Sequence, residues 1–201
     1  MKEQKLLSYI HQFCHLDESS ISLLRDSLVF QTYERGSTLW DEGGKPDEKY
    51  FLLSGLIRLY SSNEQGDEIT VHFSDTGNFI ADVDSYNSGI PSLVTAVAER
   101  DTEVIVFSRS MLERFEREIA EWSDLFRRIT ERALFDKVKI RSDLFRREAK
   151  DRYLAFLEYF PNIANHVKAA DIASFLGISQ YTLSHIKKQL MQADFLRNSK
   201  N

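Results

Sequence analysis

The sequence predicts an α+β chain in which a β-rich sandwich, roll or barrel is followed by a long helix and a helix-turn-helix. Three observations carry this reading. Between Val29 and Phe107, short runs of strand-forming residues alternate with turn residues. From Arg109 to about Phe145 the apolar spacing becomes helical. From Lys168 to Leu190 two apolar helical faces meet at a glycine. A length of 201 residues, 42% hydrophobic and 28% charged, accommodates two small domains of ordinary globular composition.

The chain opens with a helical preface. Leu6, Leu7, Ile10 and Phe13 keep helical spacing, the pattern breaks near Asp17–Ser20 where a second helix can be capped, and Ile21, Leu24 and Leu28 resume it. The β region then reads VFQTY, TLW, KYFLLSG, LIRLYSS, EITVHFS, LVTAVAE and EVIVFS, with turn residues between the runs. Residues 1–109 form the first domain on this reading. Residues 110–142 read as one long helix, along which Phe115, Ile119, Trp122, Phe126, Ile129 and Ala133 follow 4-3-4-3-4 spacing. That spacing is the seam of a helix packed lengthwise on a partner helix, so a homodimer is expected; the competing placement is against the chain's own β-roll.

Residues 143–201 form the second domain. Ala173 is small where two helices must cross closely, Gly177 can take the positive φ that ends a helix, Ile178 plugs the turn and Ser179 can cap the next helix. Ile172, Leu176, Leu183, Ile186 and Leu190 supply the buried faces. On a helix running from Ser179 to Met191, Gln180, Tyr181, Ser184, His185 and Lys188 fall opposite Leu183 and Ile186. Such a face suits the major groove of double-stranded DNA. Gln180 can pair with adenine, Ser184 and His185 can meet base edges, and Tyr181 can touch a thymine methyl or a phosphate. Ser179, Thr182, Lys187, Lys188 and Lys168 are expected at phosphates.

Charge is divided along the chain in the same sense. The formal net charge is −5. Residues 141–201 nevertheless hold ten Lys and Arg against six Asp and Glu, whereas residues 1–140 hold 16 against 25. A basic terminal module carried by an acidic domain fits a nucleic-acid partner.

This order of parts resembles the Crp/Fnr family of bacterial transcription regulators. The resemblance rests on Glu42-Gly43 through Tyr50–Gly55, the Gly66-Asp67-Glu68 hairpin, Gly77 to Asp82, the Ile172–Ile186 helix-turn-helix, and Arg152-Tyr153-Leu154 followed by Pro161. It implies a double-stranded β-helix or jelly-roll sensor of the cyclic-nucleotide-binding type, a dimerisation helix, a DNA-binding module, a small-molecule effector and RNA polymerase as a further partner. Two departures alter what is expected. The family's phosphate cassette reads Phe-x-Gly-Glu, then a loop and Arg-Ser/Thr-Ala. Here Phe79-Ile80-Ala81-Asp82 stands in the first part, and Ser92 takes the arginine's place, with Leu93 or Pro91 the alternatives on shifting by one residue. Without a guanidinium a buried phosphate loses its charge-assisted pair, so no cAMP and no cofactor is expected, and the effector is unassigned. In the reading helix, Gln180, Tyr181 and His185 replace the family's Arg, Glu and Arg, which predicts a different operator. The eleven residues after Leu190 are too few for the usual wing, which predicts salt-sensitive binding.

Other chemistry has little support. His11 and His15 have chelating spacing beside Cys14 but no nearby fourth ligand, so no metal is expected. His72 is expected to be structural rather than a haem ligand. With one cysteine the chain cannot hold an iron–sulfur cluster. No catalytic motif is present, no segment is apolar enough to span a membrane, and the expected compartment is the cytoplasm. The rival reading is a signalling adaptor whose C-terminal helices do not touch DNA.

Overall fold

The computed structural model describes residues 2–198, with side chains through Gln192. Two helices, α1 (Lys2–Ile10) and α2 (Glu18–Ser27), precede eight strands: β1 (Val29–Tyr33), β2 (Thr38–Trp40), β3 (Glu48–Ser54), β4 (Leu56–Ser62), β5 (Glu68–Asp75), β6 (Phe79–Ile80), β7 (Thr95–Ala98) and β8 (Thr102–Ser108). A short helix, α3 (Val83–Ser88), lies between β6 and β7. The strands form two antiparallel four-stranded sheets, ordered β1-β8-β3-β6 and β2-β7-β4-β5.

Strands β3 and β8 are buried on both faces. Tyr50, Leu52, Val104 and Val106 point into the roll, where they meet Trp40, Ile57, Leu59 and Ile80. Phe51, Leu53, Ile105 and Phe107 point outward into a second core made with α1, α2 and the helices after β8. A strand covered on both sides loses polar alternation and reads as a continuous apolar run, as KYFLLSG and EVIVFS do.

The long helix expected over 110–142 is two helices, α4 (Arg109–Glu118) and α5 (Trp122–Phe145), separated at Ile119–Glu121. The expected dimer seam is corrected accordingly. Phe115, Ile119, Trp122 and Ile129 are at most 2% exposed and belong to the core against α1, β3 and β8; Phe126 packs against the same core. Ala133 is half-buried and borders a cavity beneath α5. The side chains that α5 leaves outside are instead Leu134, Phe135 and Val138, at 62%, 68% and 59% exposure.

Beyond α5 come α6 (Ala149–Tyr159), α7 (Ala169–Leu176) and α8 (Gln180–Asn198). Their core of Leu144, Phe156, Phe160, Ile163, Ile172, Phe175, Leu183 and Ile186 also contains Leu56 and Phe73 from the roll. The C-terminal helices therefore share one apolar core with the outer face of β4 and β5. Phe73 meets Phe156 and Phe175 edge-on at ring separations of 6.2 and 5.3 Å, a favourable aromatic geometry.

Candidate nucleic-acid interface and ligand cassette

The turn between α7 and α8 is built as the residue types require. Gly177 has φ 64° and ψ 37°, the left-handed conformation that costs a side-chain-bearing residue about 1–2 kcal/mol. Ile178 N–H returns to Ala173 O at 3.0 Å, and Ser179 Oγ accepts from Thr182 N at 3.0 Å, capping α8. Arg152 finishes the job from α6. Its guanidinium donates to the carbonyls of Leu144, Leu176 and Arg147 at 3.1, 2.7 and 2.9 Å, satisfying the ends of α5 and α7 at once.

Helix α8 buries Leu183 at 0% and Ile186 at 4% exposure. Gln180, Tyr181, Ser184, His185 and Lys188 are all exposed on its other side, Tyr181 at 84%. His185 and Gln189 share a hydrogen bond of 2.9 Å along that side. The polar face expected from spacing is therefore assembled, and α8 continues past Met191 to Asn198. Thr182 is half-buried at the cap. Two lysines depart from expectation. Lys187 is half-buried, its ammonium 5.7 Å from the centre of the Tyr153 ring, because its position on the helix faces α6. Lys168 precedes α7 and borders a groove with Arg35, Arg100 and His166, next to the β7–β8 turn rather than beside the exposed face of α8.

Sequence reasoning missed the contacts that fasten this module to the roll. Arg58, 4% exposed on β4, donates Nε to Glu99 at 2.5 Å and Nη2 to Glu68 at 2.6 Å, and its Nη1 lies 3.7 Å from Asp171 of α7. Thr70 N donates to Ser174 Oγ at 2.9 Å, so the edge strand β5 is bonded to α7 itself. Desolvation holds the Asp171 carboxyl above the usual carboxylate range despite Arg58. A lone arginine within an apolar strand was the only trace of this cluster in the sequence.

The cassette residues form a closed hydrogen-bonded unit. Asp82 caps α3, its Oδ1 accepting from Ser85 N at 3.0 Å, and its Oδ2 accepts from Ser92 Oγ at 2.6 Å. Ser92 is 3% exposed and its Oγ also accepts from Val94 N at 3.2 Å. Ile80 lies in the roll core and Phe79 stacks among Tyr9, Phe51, Phe107 and Phe126. Ala81 is half-buried, while Leu93 points outward at 75% exposure and takes no part. Ser92, in the place of the family's arginine, brings no guanidinium, and its hydroxyl is already engaged with Asp82 Oδ2 and the Val94 carbonyl.

His11 and His15 stack at 5.2 Å between ring centres. Among the described residues no group of three or more metal-ligating side chains occurs, and no helix is long and apolar enough to cross a membrane.

Residues 30–118 match the family of the cyclic nucleotide-binding domain. No curated protein matches the chain. Among solved structures, FixK2 from Bradyrhizobium japonicum is 21% identical with a TM-score of 0.70, covering 83% of this chain and 86% of its own. CLP from Xanthomonas campestris, a c-di-GMP responsive global regulator, is 17% identical with a TM-score of 0.67, covering 90% and 94%. A protein ascribed to the crp/fnr regulator family from Eubacterium rectale is 17% identical with a TM-score of 0.68, covering 89% and 85%. Residues 30–118 thus match the cyclic nucleotide-binding domain, and the chain shares the fold of these solved regulators.

Proposed function

We propose that the protein is a homodimeric, sequence-specific DNA-binding regulator whose roll responds to an effector other than cAMP. The observation that carries this reading is the exposed row Gln180, Tyr181, Ser184, His185 and Lys188 on a helix capped by Ser179 and set by the Gly177 turn. Its side chains are exposed on the side that would face base edges, with Gln180 suited to adenine. The basic balance of residues 141–201 supports the same partner. Leu134, Phe135 and Val138 supply the dimer face, since an apolar row at more than half exposure on a long helix is stabilised by a second copy. Two α8 helices then read half-sites about one helical turn apart. The Asp82–Ser92 pair supports the exclusion of cAMP.

The test is selection from a randomised DNA pool at low and physiological salt, with and without cAMP. Enrichment of a palindrome, unaffected by cAMP and weakened by salt, is the expected result. Substituting Gln180 by alanine then relaxes one position of the site by about 1–3 kcal/mol. No enrichment in any arm contradicts the regulator reading and favours a signalling adaptor.

A further inference from the structure

Where the roll, α5 and the C-terminal helices meet, the fold encloses a cleft of about 520 Å³, within the size range of small-molecule sites. Its walls come from the end of α1, from β5 and the turn after it, from α5, and from the end of α6. Aromatic rings dominate the apolar part: Tyr9, Phe13, Phe73, Phe79, Tyr159 and Phe160.

The charged part is unbalanced. Arg132 and Asp136 cancel each other through a 2.7 Å ion pair. Lys137 and Lys139 then share the cleft with Asp75, and Asp82 lies close enough to Lys137 to favour its charge, but among the described residues neither ammonium has a carboxylate within 4.0 Å. Lys137, an exposed residue of α5, also borders two adjoining cavities of about 160 and 240 Å³. Desolvation pulls its ammonium below the ordinary lysine range and raises the Asp75 carboxyl, and an anion beside Lys137 offsets the first effect. His72, on the same wall, is held neutral by burial and by Lys137 and Arg141, and contributes no positive charge.

We propose that this cleft is a small-molecule site that takes an organic anion with an aromatic body, its acid group at Lys137 and its rings among Tyr9, Phe79 and Phe160. It adjoins the closed Asp82–Ser92 unit, whose Asp82 acts on Lys137, but is not lined by Asp82 or Ser92. A ligand there touches the roll, α5 and the end of α6 together, and so biases their relative placement. That consequence rests on the regulator reading; binding itself does not.

The test is a fluorescence titration of the full chain with anilinonaphthalene sulfonate and with its uncharged counterpart, phenylnaphthylamine. One saturable sulfonate site per chain is expected, weakened about tenfold or more by Lys137→Gln and tightened by Asp75→Asn, with the neutral probe indifferent to both. Unchanged sulfonate affinity in Lys137→Gln, or equal responses of the two probes, overturns the proposal. Sulfonate binding with this pattern alongside a failed DNA selection removes the regulator reading and leaves the site standing; a palindrome without such binding does the reverse.

Discussion

Replacing Arg58 by methionine removes the charge that joins the roll to α7 while keeping most of the stem. Glu99 and Asp171, 7% and 8% exposed, are left buried without an ion-pair partner, Asp171 keeping only the more distant Lys168, whereas the Glu68 side chain, at 47% exposure, can turn to water. Breaking a buried ion pair from one side costs about 3–5 kcal/mol, and the exposed partner adds little. A loss of about 3–5 kcal/mol at pH 7 is therefore expected. The pH dependence has a definite sign. Desolvation already raises the Asp171 carboxyl and Arg58 opposes it, so removing Arg58 raises it further. The folded variant then takes up a proton at a pH where the unfolded chain has released it. Its deficit against wild type narrows as pH falls from 7 toward 5. Urea unfolding followed by the fluorescence of Trp40 and Trp122 measures the deficit, and amide exchange in α7 reports whether that helix is released. Adding Glu99→Met recovers part of the loss, because the stranded carboxylate goes with it. A deficit below about 1 kcal/mol, or one that widens in acid, refutes the argument.

Two further outcomes follow from the structure. His72 is lowered to about 3, chiefly by desolvation and then by Lys137 and Arg141, so below its ordinary value of 6.5 the unfolded chain binds a proton that the folded chain does not. Wild type loses about 1.4 kcal/mol per pH unit more than His72→Gln between pH 6.5 and 4, measured by denaturant midpoints across that range; parallel profiles count against it. Gly55, between β3 and β4, has φ 108°, and an added Cβ falls 2.5 Å from Thr102 Cα, so Gly55→Ala destabilises by about 3 kcal/mol or more. Gly66→Ala, with φ 83° and open space, costs only about 1–2 kcal/mol; equal melting shifts for the two contradict the steric account.

Much of the candidate reading face was legible because its causes are local. A glycine at the left-handed position, a serine three residues before the N–H it caps, and polar residues opposite Leu183 and Ile186 depend on helical spacing and side-chain type alone. The strand runs and their turns were legible for the same reason. Lys187 and Lys168 were not, since their surroundings are set by α6 and by the β7–β8 turn.

By itself, the sequence determined that the chain is α+β, that it ends in a glycine-turned helix pair, and that Ser92 stands where a phosphate-binding arginine was expected. Only the tertiary structure decided which surface covers each apolar face. The stripe from Phe115 to Ile129 turned inward onto β3 and β8 because the chain breaks at Ile119–Glu121 and folds back on the roll, leaving Leu134, Phe135 and Val138 outside. Arg58 found its acids, and the aromatic cleft its four walls, across separations of up to more than 100 residues. Periodicity records that a face is buried; what buries it depends on long-range contacts that no local spacing encodes.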